Sequence, residues 1–191
     1  MAGWIDDNPS LRGISICGRR VLGSRRELPS ILRGVKHRRL RFVVAVGNNE
    51  RRGEIFDELL QHGLTPVNAI HPNAMIADSV RLGRGMMVCA GVVVNPDSSI
   101  EDNVIINTAA SVDHDNRIER DAHLSPGVHT GGHVRVGRGA HIGIGAVVLP
   151  DRSVGAYTVV GAGAVVDKDL PERIVAVGVP ARAVRTRPAA S

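Results

Sequence analysis

The sequence predicts a mixed fold in two parts: a small parallel α/β unit over residues 1–69, then a parallel β-helix with a C-terminal tail over residues 70–191. Three observations lead there. From Ile70 to Val166, every sixth residue is Ile, Leu or Val at sixteen of seventeen positions, with Thr130 the exception. The register one residue later, His71 to Asp167, holds a single such residue, Leu149, so the period is not a by-product of composition. Ahead of this stretch, short apolar runs alternate with segments of helical spacing.

A period of six is a multiple of the strand period of two and fits no helix for long. A short strand followed by a tight bend can repeat it indefinitely, with the aliphatic side chain pointing inward each time. Three such sides close a coil of about eighteen residues, and successive coils pair as parallel strands about 4.8 Å apart. Gly83, Gly137, Gly143, Gly155 and Gly161 each follow a repeat residue, and the expectation is that they supply backbone angles that a β-carbon resists.

In the front half, Trp4-Ile5-Asp6-Asp7-Asn8-Pro9 reads as a short strand ending in a polar turn. Ser24, with Glu27 three residues on, makes a capping box for a helix running to Leu32. Arg41 to Val46 is a run of strand length that ends at Gly47-Asn48-Asn49. Arg51 to His62 then carries Ile55, Leu59 and Leu60 at helical spacing, and Leu64 to Ile70 reads as a further strand. Strands alternating with helices argue for a parallel sheet.

Composition narrows the function classes. Hydrophobic residues make up 43% of 191 residues and aromatics only 2%, which suits a thin coil whose interior admits Val, Ile and Leu but few rings. There is no apolar run of about 18 residues for a membrane span, and Met1 to Asn8 lacks the basic start and apolar core of a signal peptide. Cys17 and Cys89 make no disulfide framework. A cytoplasmic protein is expected. The net charge of +5 lies wholly in residues 1–66, with twelve Lys and Arg against seven Asp and Glu. The run Lys36-His37-Arg38-Arg39-Leu40-Arg41 has neither aromatics nor a nucleic-acid motif around it, so it reads as a solvated segment, with attraction of a phosphorylated substrate as the functional alternative.

The pairs Val136-Gly137, Ile142-Gly143, Val154-Gly155 and Val160-Gly161, with the tail Gly178-Val179-Pro180-Ala181-Arg182, resemble the hexapeptide-repeat acyltransferases. That resemblance implies a left-handed parallel β-helix; periodicity alone does not fix the hand. Ile5 to Pro9, Val21-Leu22-Gly23, Val46 to Asn49 and Ile70-His71-Pro72-Asn73-Ala74 are similar, in order, to the front domain of the sialic-acid O-acetyltransferase branch, which includes N-acetyltransferases of UDP-linked 4-amino sugars. The likeness implies that the front domain holds a sugar nucleotide, with Asp6 and Asp7 facing the base and Gly47, Asn48 and Asn49 at the strand ends, where ligands sit in open α/β sheets. Against that pattern the chain starts at Met1-Ala2-Gly3, one strand and a Gly-rich phosphate loop short, so a truncated Rossmann-like unit is expected.

Transfer of an acyl group from a thioester needs a base for the incoming amine or hydroxyl and a donor for the carbonyl oxygen as it gains charge. Among eight histidines, His114 stands out between Asp113 and Asp115, because a neighbouring carboxylate can orient an imidazole and raise its basicity. By resemblance His114 is the general base and Asp115 its partner, with Asp113 the competing partner. Eighteen residues on, Gly132 should lie over His114 in the next coil, and the resemblance makes its backbone N–H the donor to the acetyl carbonyl. His123 and His141 are likewise eighteen apart. The resemblance places His123, Ile144 and Ala162 along bound acetyl-CoA, and implies a homotrimer with each site between subunits. Neither cysteine nor Ser125 has an adjacent base, so direct attack is expected in place of a covalent acyl-enzyme. The expected activity is therefore acetyl-CoA-dependent acetylation of an amino or hydroxyl group of a nucleotide-linked sugar, with no metal, nucleic acid or membrane involved. Two alternatives stay open: a γ-carbonic-anhydrase-like zinc enzyme, for which His129 and His133 have a usable spacing, and a non-catalytic scaffold.

Overall fold

A computed structural model describes residues 2–33 and 40–188. They fall into two compact units, Met1–Leu40 and Arg41–Ser191. In the first, Trp4–Ile5 pairs in parallel with Arg19–Gly23, which folds back antiparallel on Ser15–Ile16. Trp4 Nε1–H donates to Ile16 O at 2.9 Å, and Val21 and Leu28 form the buried centre. Ser24 begins a helical segment as expected, but its first three residues, Arg25–Glu27, wind as a 3₁₀ turn before α1, Leu28–Arg33. Glu27 Oε2 accepts from the Ser24 N–H at 3.0 Å, which is half of the capping box. Most of the basic run, Lys36 to Arg39, lies outside the described residues.

The single parallel α/β sheet expected over residues 1–69 is instead two small sheets. Arg41–Phe42 pairs in parallel with Thr65–Pro66 in a sheet separate from that of Trp4–Ile5. Between these strands runs α2, Asn49–Gln61, capped by Asn48, whose side chain accepts the Arg51 N–H at 2.9 Å. Val44, Ile55 and Phe56 pack as a small core under it. Ala69–Ile70, expected to close that sheet, pairs with Met87–Val88 and is the first strand of the coil.

The compact unit begins at Arg41 because α2 is fastened to the coil through Arg52. This side chain is fully buried. Its guanidinium donates to Asn103 O at 3.2 Å, Ala122 O at 3.2 Å and Asp121 O on the coil, and to Val46 O at 3.2 Å and Asn49 Oδ1 at 2.6 Å on its own segment. Burial lowers its pKa to about 10, still far above neutrality, so the charge is kept and shared among carbonyl dipoles.

From Ala69 to Val166 the chain is the expected parallel β-helix. Each repeat residue is the second residue of a two-residue strand, and strands eighteen residues apart pair in parallel, Val93 on Ser111 and Val94 on Val112 for example. Three sheets result, and the third is extended by Ile174–Val177 and the antiparallel edge strand Arg182–Thr186. Val112, Ile118, Leu124, Val136, Ile142 and Val148 are fully buried. Thr130 is buried among them. A second inward column, two residues before each repeat residue, includes Val104, Ala110, Ala122, Val128, Ala140 and Ala146, all fully buried. The residue between the two columns faces outward, as the strand alternation demands.

The expected role of the glycines needs correction. The left-handed backbone angles fall three residues after the repeat residue, at Asp97, Asn103, Asp115, Asp121, Gly127 and His133 among others, and not at the glycine immediately following it. That glycine answers a different need. A β-carbon on Gly143 would sit 2.6 Å from Ala162 N and 2.6 Å from Val160 O. Coils approach too closely at this corner for any side chain.

Candidate active site

The corner after Ser111–Val112 is built by its polar residues. Asn116 is buried, and its Nδ2 donates to Asp113 O at 2.6 Å, His114 O at 3.1 Å and Gly131 O at 2.8 Å, pinning this corner to the one on the next coil. Asp113 serves the backbone: its Oδ1 accepts from Asn95 Nδ2 at 2.9 Å and from the His114 N–H at 2.8 Å. These bonds, the Asn95 one foremost, hold its carboxyl below the usual range. Asp115 takes the left-handed angle, φ 57°, which turns its carboxylate back along the chain to His114 Nδ1 at 2.8 Å. Of the two flanking acids, then, the geometry puts Asp115 on the imidazole. A carboxylate only accepts, so Nδ1 carries the proton and Nε2 presents a lone pair. The Asp115 hydrogen bond is the main cause that raises the His114 pKa.

Gly132 lies one coil on. A β-carbon there would fall 2.6 Å from His114 Cε1 and 2.7 Å from Nε2. The ring thus occupies the space that a side chain on residue 132 would need, as the eighteen-residue spacing anticipates. The Gly132 N–H makes no hydrogen bond with any described residue. His133, which the sequence offered only as a zinc pair with His129, joins this group. Its ring stands edge-to-face to His114 with centroids 5.2 Å apart, and its Nε2 is 3.9 Å from Asp115 Oδ2. His129 is engaged elsewhere, its Nδ1 lying 2.7 Å from Ser111 Oγ.

His123 and His141 pair in register on another sheet, ring centroids 4.9 Å apart. Asn107 Oδ1 accepts the Thr108 N–H at 2.8 Å, so its Nδ2 is the donor toward His123 Nε2 at 3.3 Å. The proton is therefore on Nδ1, which is buried and without a partner among the described residues. Burial above all, then the His141 and Arg52 charges, lowers the His123 pKa to about 4. Ile144 and Ala162 occupy successive turns of one corner, where the Gly163 N–H donates to Ile144 O at 2.8 Å, and Ile144 is exposed.

The front-half residues have structural duties. Asp6 Oδ1 accepts the Asn8 N–H at 2.8 Å, and Asp7 accepts from the Arg25 backbone at 2.9 Å and from Arg25 Nε at 2.7 Å. Asn48 caps α2. Asn49 is buried and donates to Gly139 O at 3.1 Å and Ala140 O at 3.0 Å. At Gly47 a β-carbon would meet nothing within 4 Å.

Residues 133–168 match the family described as "Bacterial transferase hexapeptide (six repeats)". A variant of the GDP-perosamine N-acetyl transferase from Caulobacter crescentus, solved in complex with CoA and GDP-perosamine, superposes with a TM-score of 0.89 at 43% identity, covering 95% of this chain and 83% of that one. The chain belongs to the hexapeptide-repeat transferases. The coils of this transferase are accordingly those of a left-handed β-helix. The acetyltransferase domain of PglB from Neisseria gonorrhoeae FA1090 is also similar, at 35% identity over 95% of this chain and 86% of that one, TM-score 0.89; a second structure of that domain is in complex with acetyl coenzyme A. The GDP-perosamine N-acetyltransferase of Escherichia coli O157:H7 matches at 29% identity over 86 residues, which span only 39% of that protein.

Proposed function

We propose that this transferase moves the acetyl group of acetyl-CoA to the amino group of a nucleotide-linked amino sugar, with a GDP-linked 4-amino sugar of the perosamine kind as the first acceptor to test. The observation that carries the proposal is His114 held by Asp115 and seated against Gly132. It is supported by the 43% identity to a protein solved with CoA and GDP-perosamine.

In this reading acetyl-CoA supplies an activated acyl carbon and a thiol leaving group. His114 Nε2 takes the proton of the attacking amine, and Asp115 keeps the ring in the right tautomer and steadies the charge it acquires. The Gly132 N–H is assigned to the acetyl oxygen that gains negative charge. Gly132 also keeps that space open, since any side chain would meet the imidazole. His123, together with Ile144 and Ala162, is assigned to acetyl-CoA. For the nucleotide sugar the family likeness nominates Asp6 and Asp7 in the first unit and, taken separately, the loop Gly47-Asn48-Asn49 in the second, where a β-carbon on Gly47 would meet nothing within 4 Å. This keeps residues 1–69 as the acceptor-binding part and 70–191 as the acyltransferase part.

The same family likeness motivates a homotrimer with sites between subunits, since flat sheet faces suit side-by-side packing. It also motivates a cytoplasmic location, where acetyl-CoA and sugar nucleotides are available. Among the described residues no helix is long and apolar enough to cross a membrane.

The experiment is incubation of the purified protein with acetyl-CoA and either GDP-, UDP- and dTDP-linked amino sugars or the corresponding free amino sugars, with acetylated product read by mass. Product from a nucleotide amino sugar supports the proposal. Product only from free sugars refutes the nucleotide assignment, and product from none refutes the activity.

A further inference from the structure

We propose that His114, Asp115 and His133 also form a binding site for a borderline transition-metal ion of the Zn²⁺ class, and that the bound ion switches the catalytic base off. The donor set is two imidazoles and one carboxylate, a zinc-type combination and not the all-oxygen set that Mg²⁺ and Ca²⁺ favour. One ligand atom from each of the three residues lies within 4.8 Å of the others. A tetrahedral zinc with bonds of about 2.0–2.2 Å holds its ligand atoms roughly 3.3–3.6 Å apart. The separations here bracket that range, with 2.8 Å from His114 Nδ1 to Asp115 Oδ2 and 3.9 Å from Asp115 Oδ2 to His133 Nε2.

The backbone presents this set already formed. Asp115 and His133 occupy the same left-handed position on successive coils, φ 57° and 58°. The Asp115 N–H is tied to Pro96 O at 3.1 Å and the His133 N–H to His114 O at 3.1 Å. Left-handed corners favour Gly, Asn and Asp, as at Gly127, Gly139, Gly145 and Asp121. His133 shares this position with Ala109 and Tyr157 as well as with those residues, and its ring is directed onto the carboxylate of the coil before it, Nε2 lying 3.9 Å from Asp115 Oδ2. The side chains are 52%, 44% and 59% exposed, so an ion can reach them and water can fill its remaining position.

The consequence follows from the tautomer. As a base, His114 needs the proton on Nδ1 and the lone pair on Nε2. A metal on Nδ1 takes that lone pair, so the single proton of the neutral ring must sit on Nε2. The ring then has no lone pair left to accept the proton of the amine. Binding and inhibition rest on the same three residues, and only the inhibition rests on the acetyltransferase reading.

The test uses EDTA-treated, substrate-free protein titrated calorimetrically with Zn²⁺ and with Mg²⁺, with the visible spectrum of bound Co²⁺ reporting its coordination. Wild type is expected to bind one Zn²⁺ per chain and to ignore Mg²⁺. His133→Asn, which suits the left-handed backbone, should weaken Zn²⁺ by at least about 10–100-fold, the loss typical of an outer-shell partner, and its transfer with Zn²⁺ is read against its own metal-free rate. Transfer by the wild type, read by product mass because CoA thiols themselves bind zinc, should fall at Zn²⁺ concentrations that His133→Asn tolerates. Equal Zn²⁺ affinity in the two proteins, or equal binding of Mg²⁺, overturns the site. Zinc binding that leaves transfer unchanged overturns the switch. Absence of transfer in the EDTA-treated wild type tells against the acetyltransferase reading, and the calorimetry still decides the site.

Discussion

His114 and Gly132 stand on successive coils so close together that a β-carbon on Gly132 would lie 2.6 Å from the imidazole. Gly132 has no left-handed backbone angle, so Gly132→Ala is tolerated by the chain but not by the ring. The exposed His114 side chain can swing aside. The expected outcome is a kcat loss of about tenfold to a hundredfold with little change in Tm, because a small displacement of a base is costly to catalysis. Gly131→Ala is the contrast: its β-carbon would meet the Pro150 ring at 2.7 Å and Pro150 N at 2.8 Å, so stability should fall. Steady-state kinetics beside thermal melts of both variants checks the pair.

Asp115 raises the His114 pKa through its hydrogen bond. The neutral imidazole is the active form, so activity falls as pH drops through that raised pKa. Asp115→Asn should move this acidic limb of the kcat/KM profile to lower pH and depress the plateau, because the ring loses its tautomer control. Asp113→Asn should leave the limb nearer its place, since Asp113 chiefly holds the corner through Asn95 and the His114 N–H. A pH–rate profile of both variants distinguishes the two acids.

The residues alone did not separate their roles, since both flank His114 equally, and only the family resemblance favoured Asp115. The difference arises from the left-handed turn at residue 115, which sends one carboxylate to the ring and leaves the other on the backbone. The aliphatic repeat and the Gly132–His114 stacking were legible, because strand alternation with no insertion makes eighteen residues a fixed vertical step. The second inward column was hidden, since it mixes Val and Ala with Ser98, Asn116 and Thr158, whose hydroxyl and amide donors find carbonyl partners at the corners. Arg52 was hidden too: a charged residue on an amphipathic helix reads as solvent-facing, and only the carbonyls that converge on it from the coil reveal otherwise. The front strands were over-extended because pairing there stops after two residues on Arg41–Phe42.

His123 has its pKa lowered to about 4 by burial. A base that is harder to protonate folded than unfolded contributes stability above its unfolded pKa, near 6.5, and loses it as pH falls toward the folded value. The Tm should therefore decline between about pH 6.5 and 4, by an amount corresponding to roughly 3 kcal/mol at most. His123→Gln should flatten that slope. A pH series of melts on the two proteins settles it.

The coil interior should respond as a close-packed core. Ile142 is fully buried between neighbouring coils, and Ile142→Ala is expected to cost about 2–5 kcal/mol. Chemical denaturation with the midpoint compared between variants is the check.

The most direct measurement is acetyl transfer to a GDP-linked 4-amino sugar by His114→Asn beside the wild type, with thermal melts confirming that both are folded. The account predicts a rate lower by about 10²–10⁴-fold in the variant, with the melt unchanged because the His114 side chain is half exposed. An active wild type matched by an equally active, folded His114→Asn would contradict it.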